Sequence, residues 1–112
     1  MLKKINRIHL NKEFDRVFNG QSFYGKSLGI KLAKNDLTIT RFGIIVSAKV
    51  SKKAVARNRV KRQLREIVQQ ELPKLKNGYD AAFIVFKPIL DKNFAEIKKL
   101  VEHDFKKLNL YK

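Results

Sequence analysis

The chain has 112 residues, 44% of them apolar, and its 26 lysines and arginines against 10 acids leave a formal charge of +16. That length and apolar content suit one domain with one modest core, and so large a charge excess calls for a polyanionic partner. The lack of cysteine excludes disulfides, a thiol nucleophile and a thiolate metal site, while the lack of a membrane-spanning apolar run or a signal-peptide pattern makes a cytoplasmic protein with no membrane partner the expectation.

Residues 1–10 are basic and weakly patterned, and read as an arm that orders on binding. Asn11 is placed to cap a helix over residues 12–19, and Gly20 to close it in a left-handed conformation. Phe14 and Phe18 share a face of that helix, with Val17 close by. Residues 21–24 read as a short edge strand. "SLGIKLA" alternates, with Leu28, Ile30 and Leu32 on one side, and so reads as a strand with two different faces. Asn35-Asp36 signals a turn, and the β-rich "LTITRFGIIVS" is expected to pair with the preceding strand as a hairpin.

The segment "SKKAVARNRVKRQLREI" comes next. Ala56, Val60, Leu64, Ile67 and Val68 recur at spacings of four and three, which predicts a helix with one apolar stripe and Ser51 as its cap. Pro73 and Asn77-Gly78 end it. "YDAAFIVF" is apolar on both faces and predicts an interior strand. Asp91 is placed to cap a last helix whose inward stripe is Phe94, Ile97, Val101, Phe105 and Leu108. The order αβββαβα makes residues 1–112 a single-domain α+β protein: an α/β sandwich with one mixed sheet of about four strands and three helices. The general rule for strand–helix–strand crossovers would make the unit around the long helix right-handed.

On a helical wheel the apolar stripe of residues 56–68 covers about 120°. Arg57, Lys61 and Arg65 border it, and Asn58, Arg59 and Arg62 continue round the helix. An ordinary solvated face would mix acids among these bases, but none lies between Lys49 and Arg65. Four of the seven arginines in the chain fall between positions 57 and 65, although lysine is far commoner overall. Lysine supplies bulk charge; arginine supplies a planar fork that grips a phosphate in two places. The segment therefore reads as a nucleic-acid surface. Helix-turn-helix, zinc-finger and basic-zipper patterns are absent. Phe14 and Phe18 are either ordinary core or a platform on which single-stranded bases stack.

Protein ribonucleases usually need a His pair or a metal-binding carboxylate cluster. His9 and His103 have no obvious partner motif and the acids are scattered singly. No catalytic and no metal-ligating residue is expected in the protein itself, and His103 reads as a packing or surface residue.

At "ARNRVKRQLRE" the chain resembles the protein subunit of bacterial ribonuclease P, whose signature is an Arg-Asn-Arg core followed by Lys-Arg and a later Arg on one helix. The lead-in "IIVSAKVSKKAVARNR", the early "KEFDRVFNG", the "VFKP" after the last strand and the tail "FAEIKKLVEHDFKKLNLYK" are similar to family segments in order and spacing. The resemblance implies an accessory subunit of a tRNA-processing endoribonuclease. The RNA subunit carries the active site, Mg²⁺ does the chemistry, and the 5′ leader of precursor tRNA is removed. It also implies a left-handed crossover, against the general rule. By position it assigns RNA binding to Lys49, Lys52, Lys53, Arg57, Asn58, Arg59, Lys61, Arg62 and Arg65, and a leader-binding cleft to Phe14, Phe18 and Lys31. The family often has an aromatic where Lys31 stands; a lysine holds a backbone but stacks no base. The expected partners are the ribonuclease P RNA and precursor tRNA, with the protein alone monomeric. The alternative is a structural RNA-binding protein such as a small ribosomal protein. A nucleoid-type DNA binder is a weaker third.

Overall fold

The computed structural model describes residues 2–8 and 11–112, without the side chains of Asn11 and Glu13. The position of His9 and the capping role expected of Asn11 therefore lie outside the described residues. Seven main elements follow in the expected order: α1 (Asn11–Phe18), β1 (Gln21–Tyr24), β2 (Leu28–Lys34), β3 (Arg41–Ile45), α2 (Ala54–Glu71), β4 (Tyr79–Val85) and α3 (Phe94–Lys107).

Alternation decides which face of each strand is buried. Leu28, Ile30 and Leu32 of β2 register against Val85, Phe83 and Ala81 of β4, and all six belong to the main core. Periodicity does the same for the helices: Val60, Leu64, Ile67 and Val68 of α2 and Ile97, Val101 and Phe105 of α3 are buried against that sheet face. Phe42, Phe83 and Phe105 meet at centroid distances of 5.9–6.0 Å. Such ring pairs add about 0.5–1.5 kcal/mol each beyond the area they bury.

The strands lie in the order β1-β2-β4-β3, with β2 antiparallel and β3 parallel to β4. This corrects the hairpin expected between β2 and β3. The strand that is apolar on both faces, β4, inserts between them. The loop joining β2 to β3 arches over the start of β4, held by bonds from the Asn35 amide to the Gly78 carbonyl and from the Gly78 amide to the Ile39 carbonyl.

Residues 2–8, read as an arm, lie along the outer edge of β3. Arg7 bridges Phe42 in parallel, Leu2 and Ile8 are buried, and Asn6 donates to the Thr40 carbonyl at 2.9 Å. Three caps differ from expectation. Gly20 is not left-handed; it is small because a Cβ there would come within 2.1 Å of the Leu32 carbonyl oxygen. Lys53 occupies the N-cap of α2, while the Ser51 hydroxyl accepts from the Lys53 amide in a turn just before it. Asn93 rather than Asp91 caps α3, in a reciprocal capping box with Glu96.

Candidate nucleic-acid interface

Helix α1 crosses the sheet face opposite α2 and α3. Phe14 lies on Gly43 of β3, where a Cβ would come within 2.4 Å of the ring. Val17 and Ile8 pack with Ala82 of β4 in a small separate cluster. Phe18 reaches the β2 side and stays 38% exposed. The Lys31 ammonium lies 5.5 Å from the centre of the Phe18 ring and donates to the Phe18 carbonyl at 3.3 Å. Phe14 is thus half-buried against the sheet, while Phe18 keeps part of its ring exposed.

Tyr24 was missed in the sequence. It stands on β1 opposite Gly29, is 50% exposed, and has the Lys31 ammonium 5.6 Å from its ring centre. An aromatic thus stands one strand away from where the family resemblance puts one, and Lys31 is held between two rings. The signal was weak: "QSFY" puts aromatics on both faces of its strand, and only the pairing register shows that Tyr24 is the one beside Lys31. Beyond α1, Ile45, Lys49, Ile84, Phe86 and Lys87 line a groove of about 270 Å³. An apolar floor with lysines beside it suits a single strand, whose bases stack while its phosphates meet cations.

The arginine-rich helix is arranged as the wheel predicts. Arg57, Lys61 and Arg65 are half-buried along the stripe, and Asn58, Arg59 and Arg62 are exposed, as are Lys52 and Lys53 ahead of the helix. Arg57 Nη1 donates to the Ser51 carbonyl at 2.8 Å, pinning the preceding loop to the first turn. Arg65 reaches the cleft side: with Arg7, Phe14 and Gly43 it lines a hollow of about 190 Å³. Burial, and then the charge of Arg7, lower the Arg65 pKa from its usual value. A phosphate there would offset the repulsion between Arg65 and Arg7. This hollow joins the basic helix to the aromatic cleft.

His103 is exposed, with its ring 5.7 Å from that of Phe23. Among the described residues no three His, Asp or Glu side chains gather as a metal site would require, and no helix is long and apolar enough to cross a membrane.

An arginine-faced crossover helix beside an aromatic cleft, on a mixed α+β sheet, defines a protein built to lie against a polyanion. A Ribonuclease P family model matches residues 2–109. The ribonuclease P protein component of Clostridium botulinum (strain Loch Maree / Type A3) is 39% identical over 110 residues, covering 96% of this chain and 98% of that protein. The one from Bacillus pumilus (strain SAFR-032) is 38% identical over 112 residues, covering 98% and 93%. The solved Staphylococcus aureus RNase P protein superposes with a TM-score of 0.87 at 28% identity, over 96% of this chain and 98% of that one. The Thermotoga maritima RNase P protein gives 0.79 at 26%, over 89% and 96%. The chain belongs to the ribonuclease P protein family.

Proposed function

We propose that this chain is the accessory subunit of a ribonuclease P, assisting a catalytic RNA in endonucleolytic removal of the 5′ leader from precursor tRNA. The observation that carries the reading is the continuity between the α2 arginines and the α1 cleft, joined where Arg65 and Phe14 line one hollow. A surface of that form serves two RNA segments at once.

Arg59, Arg62 and Asn58, exposed on α2, grip phosphates of the ribonuclease P RNA through charge-assisted hydrogen bonds. Lys52 and Lys53 add charge ahead of the helix. The leader lies in the cleft, its bases on the free faces of Phe18 and Tyr24 and its backbone on Lys31 and Lys49. Stacking of this kind contributes about 1–3 kcal/mol per base. Mature tRNA has no leader and gains none of it, so the protein raises the enzyme's preference for precursor. Magnesium, mainly bound by the RNA, would supply the chemistry, and the protein contributes binding and position. The free protein is a monomer and works in the cytoplasm.

The test is reconstitution with a bacterial ribonuclease P RNA at low Mg²⁺ and a precursor tRNA. Cleavage should rise well above that of the RNA alone. A protein that binds RNA yet leaves cleavage unchanged would be a structural RNA-binding protein instead.

A further inference from the structure

Along β4, Ala81, Phe83 and Val85 point into the main core, so alternation turns Asp80, Ala82 and Ile84 to the face that carries α1. Ala82 packs beneath the helix with Val17 and Ile8, and Ile84 lines the open groove beyond it. Asp80 therefore lies toward the flank of α1 away from the groove. It is fully buried. Its carboxylate accepts from Arg41 Nε at 2.8 Å and Nη2 at 2.7 Å, from Asn35 Nδ2 at 2.8 Å and from Arg16 Nη2 of α1 at 2.6 Å. Burial alone would raise the Asp80 pKa, but the bonds from Arg41, Asn35 and Arg16 outweigh it and hold the group ionised.

A helix of 8 residues is too short to be stable alone, so what it touches sets its place. Its apolar contacts rest on Gly43 and Ala82, a bare backbone and a methyl group. Apolar burial is non-directional, and so smooth a floor lets a helix slide at little loss. The Arg16 bond is charge-assisted and directional. Its anchor is itself fixed: Arg41 grips Asp80 from β3, and Asn35 holds it from the β2–β3 loop. Asp80 thus draws α1 toward its own end of the sheet and away from Ile84. Phe14 and Phe18 stand two residues to either side of Arg16 on that helix and move with it.

We propose that Arg16 and Asp80 are positioning residues for leader recognition: their bond holds α1 back from the groove, so that Phe14 and Phe18 stay where a single strand can lie beside them. The proposal rests on the leader-binding reading above. It gives the pair no contact with RNA and no part in the grip of α2 on the ribonuclease P RNA.

The test uses the enzyme assembled with a bacterial ribonuclease P RNA. Arg16→Gln leaves Asp80 paired with Arg41 and Asn35, so the fold should persist, as the thermal midpoint would show. Its preference for precursor over mature tRNA should fall several-fold, through KM rather than kcat, while affinity for the ribonuclease P RNA stays that of the wild type. Arg16→Lys keeps a cation toward Asp80 and should recover part of the preference. The defect should vanish on a precursor whose leader is cut to a single nucleotide, because little then enters the cleft. Equal preferences for wild type and Arg16→Gln, or a defect that persists on the shortened leader, would overturn the proposal. So would a salt slope of leader binding lowered by about one unit in Arg16→Gln, which would make Arg16 a phosphate contact itself. Each of these, with wild type still raising the precursor preference, leaves the functional reading standing. A wild type that leaves that preference where the RNA alone sets it sinks the leader-binding reading, whatever the variants do.

Discussion

The Phe14 ring lies on the bare backbone of Gly43, so close that a Cβ on the glycine would sit 2.4 Å from a ring carbon. Glycine inside a strand costs about 0.5–1 kcal/mol relative to alanine. Here it lets α1 settle on the sheet and fixes where the cleft begins.

Gly43→Ala should therefore push Phe14 and α1 outward. Overpacking of this kind costs about 1–3 kcal/mol, to be read as a lower denaturation midpoint. Preference of the assembled enzyme for precursor over mature tRNA should fall with it. Unchanged stability and preference would mean that the ring moves aside freely and does not set the cleft.

Lys31 lies between the Phe18 and Tyr24 rings. An exposed cation–π contact contributes about 0.5–1 kcal/mol, so Lys31→Ala should scarcely alter folding. It should loosen leader binding and flatten its salt dependence, because a backbone cation is gone. Lys31→Phe should keep leader affinity while losing the same salt dependence. Leader binding to the assembled enzyme across a salt series separates the two; identical salt slopes in all three proteins would exclude Lys31 from backbone contact.

Stability should depend on pH through two buried carboxyls of opposite sense. Asp104 is 3% exposed with Oδ2 unpartnered among the described residues, and burial pushes its pKa up to about 7. The native state thus holds this proton more tightly than the unfolded chain does. The corresponding stability is full below about pH 4 and is lost as pH rises toward 7, on the order of 2–4 kcal/mol. Asp80 is held low, so its contribution is present above about pH 4 and lost in stronger acid. Thermal midpoints should be higher at pH 5 than at pH 8, and Asp104→Asn should raise the value at pH 8. A midpoint that climbs from pH 5 to 8, with no gain in the variant, would contradict this.

The helix arginines divide by exposure. Arg59→Ala and Arg62→Ala should preserve the fold and each lower the salt slope of binding to the ribonuclease P RNA by about one unit. Arg57→Ala should also lower thermal stability, because it releases the Ser51 carbonyl. Equal slopes for wild type and the Arg59 and Arg62 variants would move the main RNA surface elsewhere.

The sequence made α2 legible because a 3.6-residue period states which side is buried: Val60, Leu64 and Ile67 are core, and Arg59 and Arg62 face out. It made β4 legible because both its faces are apolar. Strand neighbours were not legible. Alternation in β2 and β3 says which face is covered, not which strand lies beside it, and the bonds from Asn35 to Gly78 and Asp80 that fold the loop over β4 are long-range. Caps misread for a related reason: Ser51 and Asp91 compete with nearby Lys53 and Asn93, and packing selects among them. The pairing of buried Asp80 with Arg16 and Arg41 was invisible because the three residues come from three elements that only the sheet order brings together.

The most direct measurement compares the affinity of the ribonuclease P RNA for precursor and for mature tRNA, with and without this protein, at low Mg²⁺. The protein should raise the precursor preference several-fold, and Phe18→Ala should return it toward the value of the RNA alone while binding to that RNA persists. A preference that is the same with and without the protein would contradict a leader-binding cleft between α1 and the sheet.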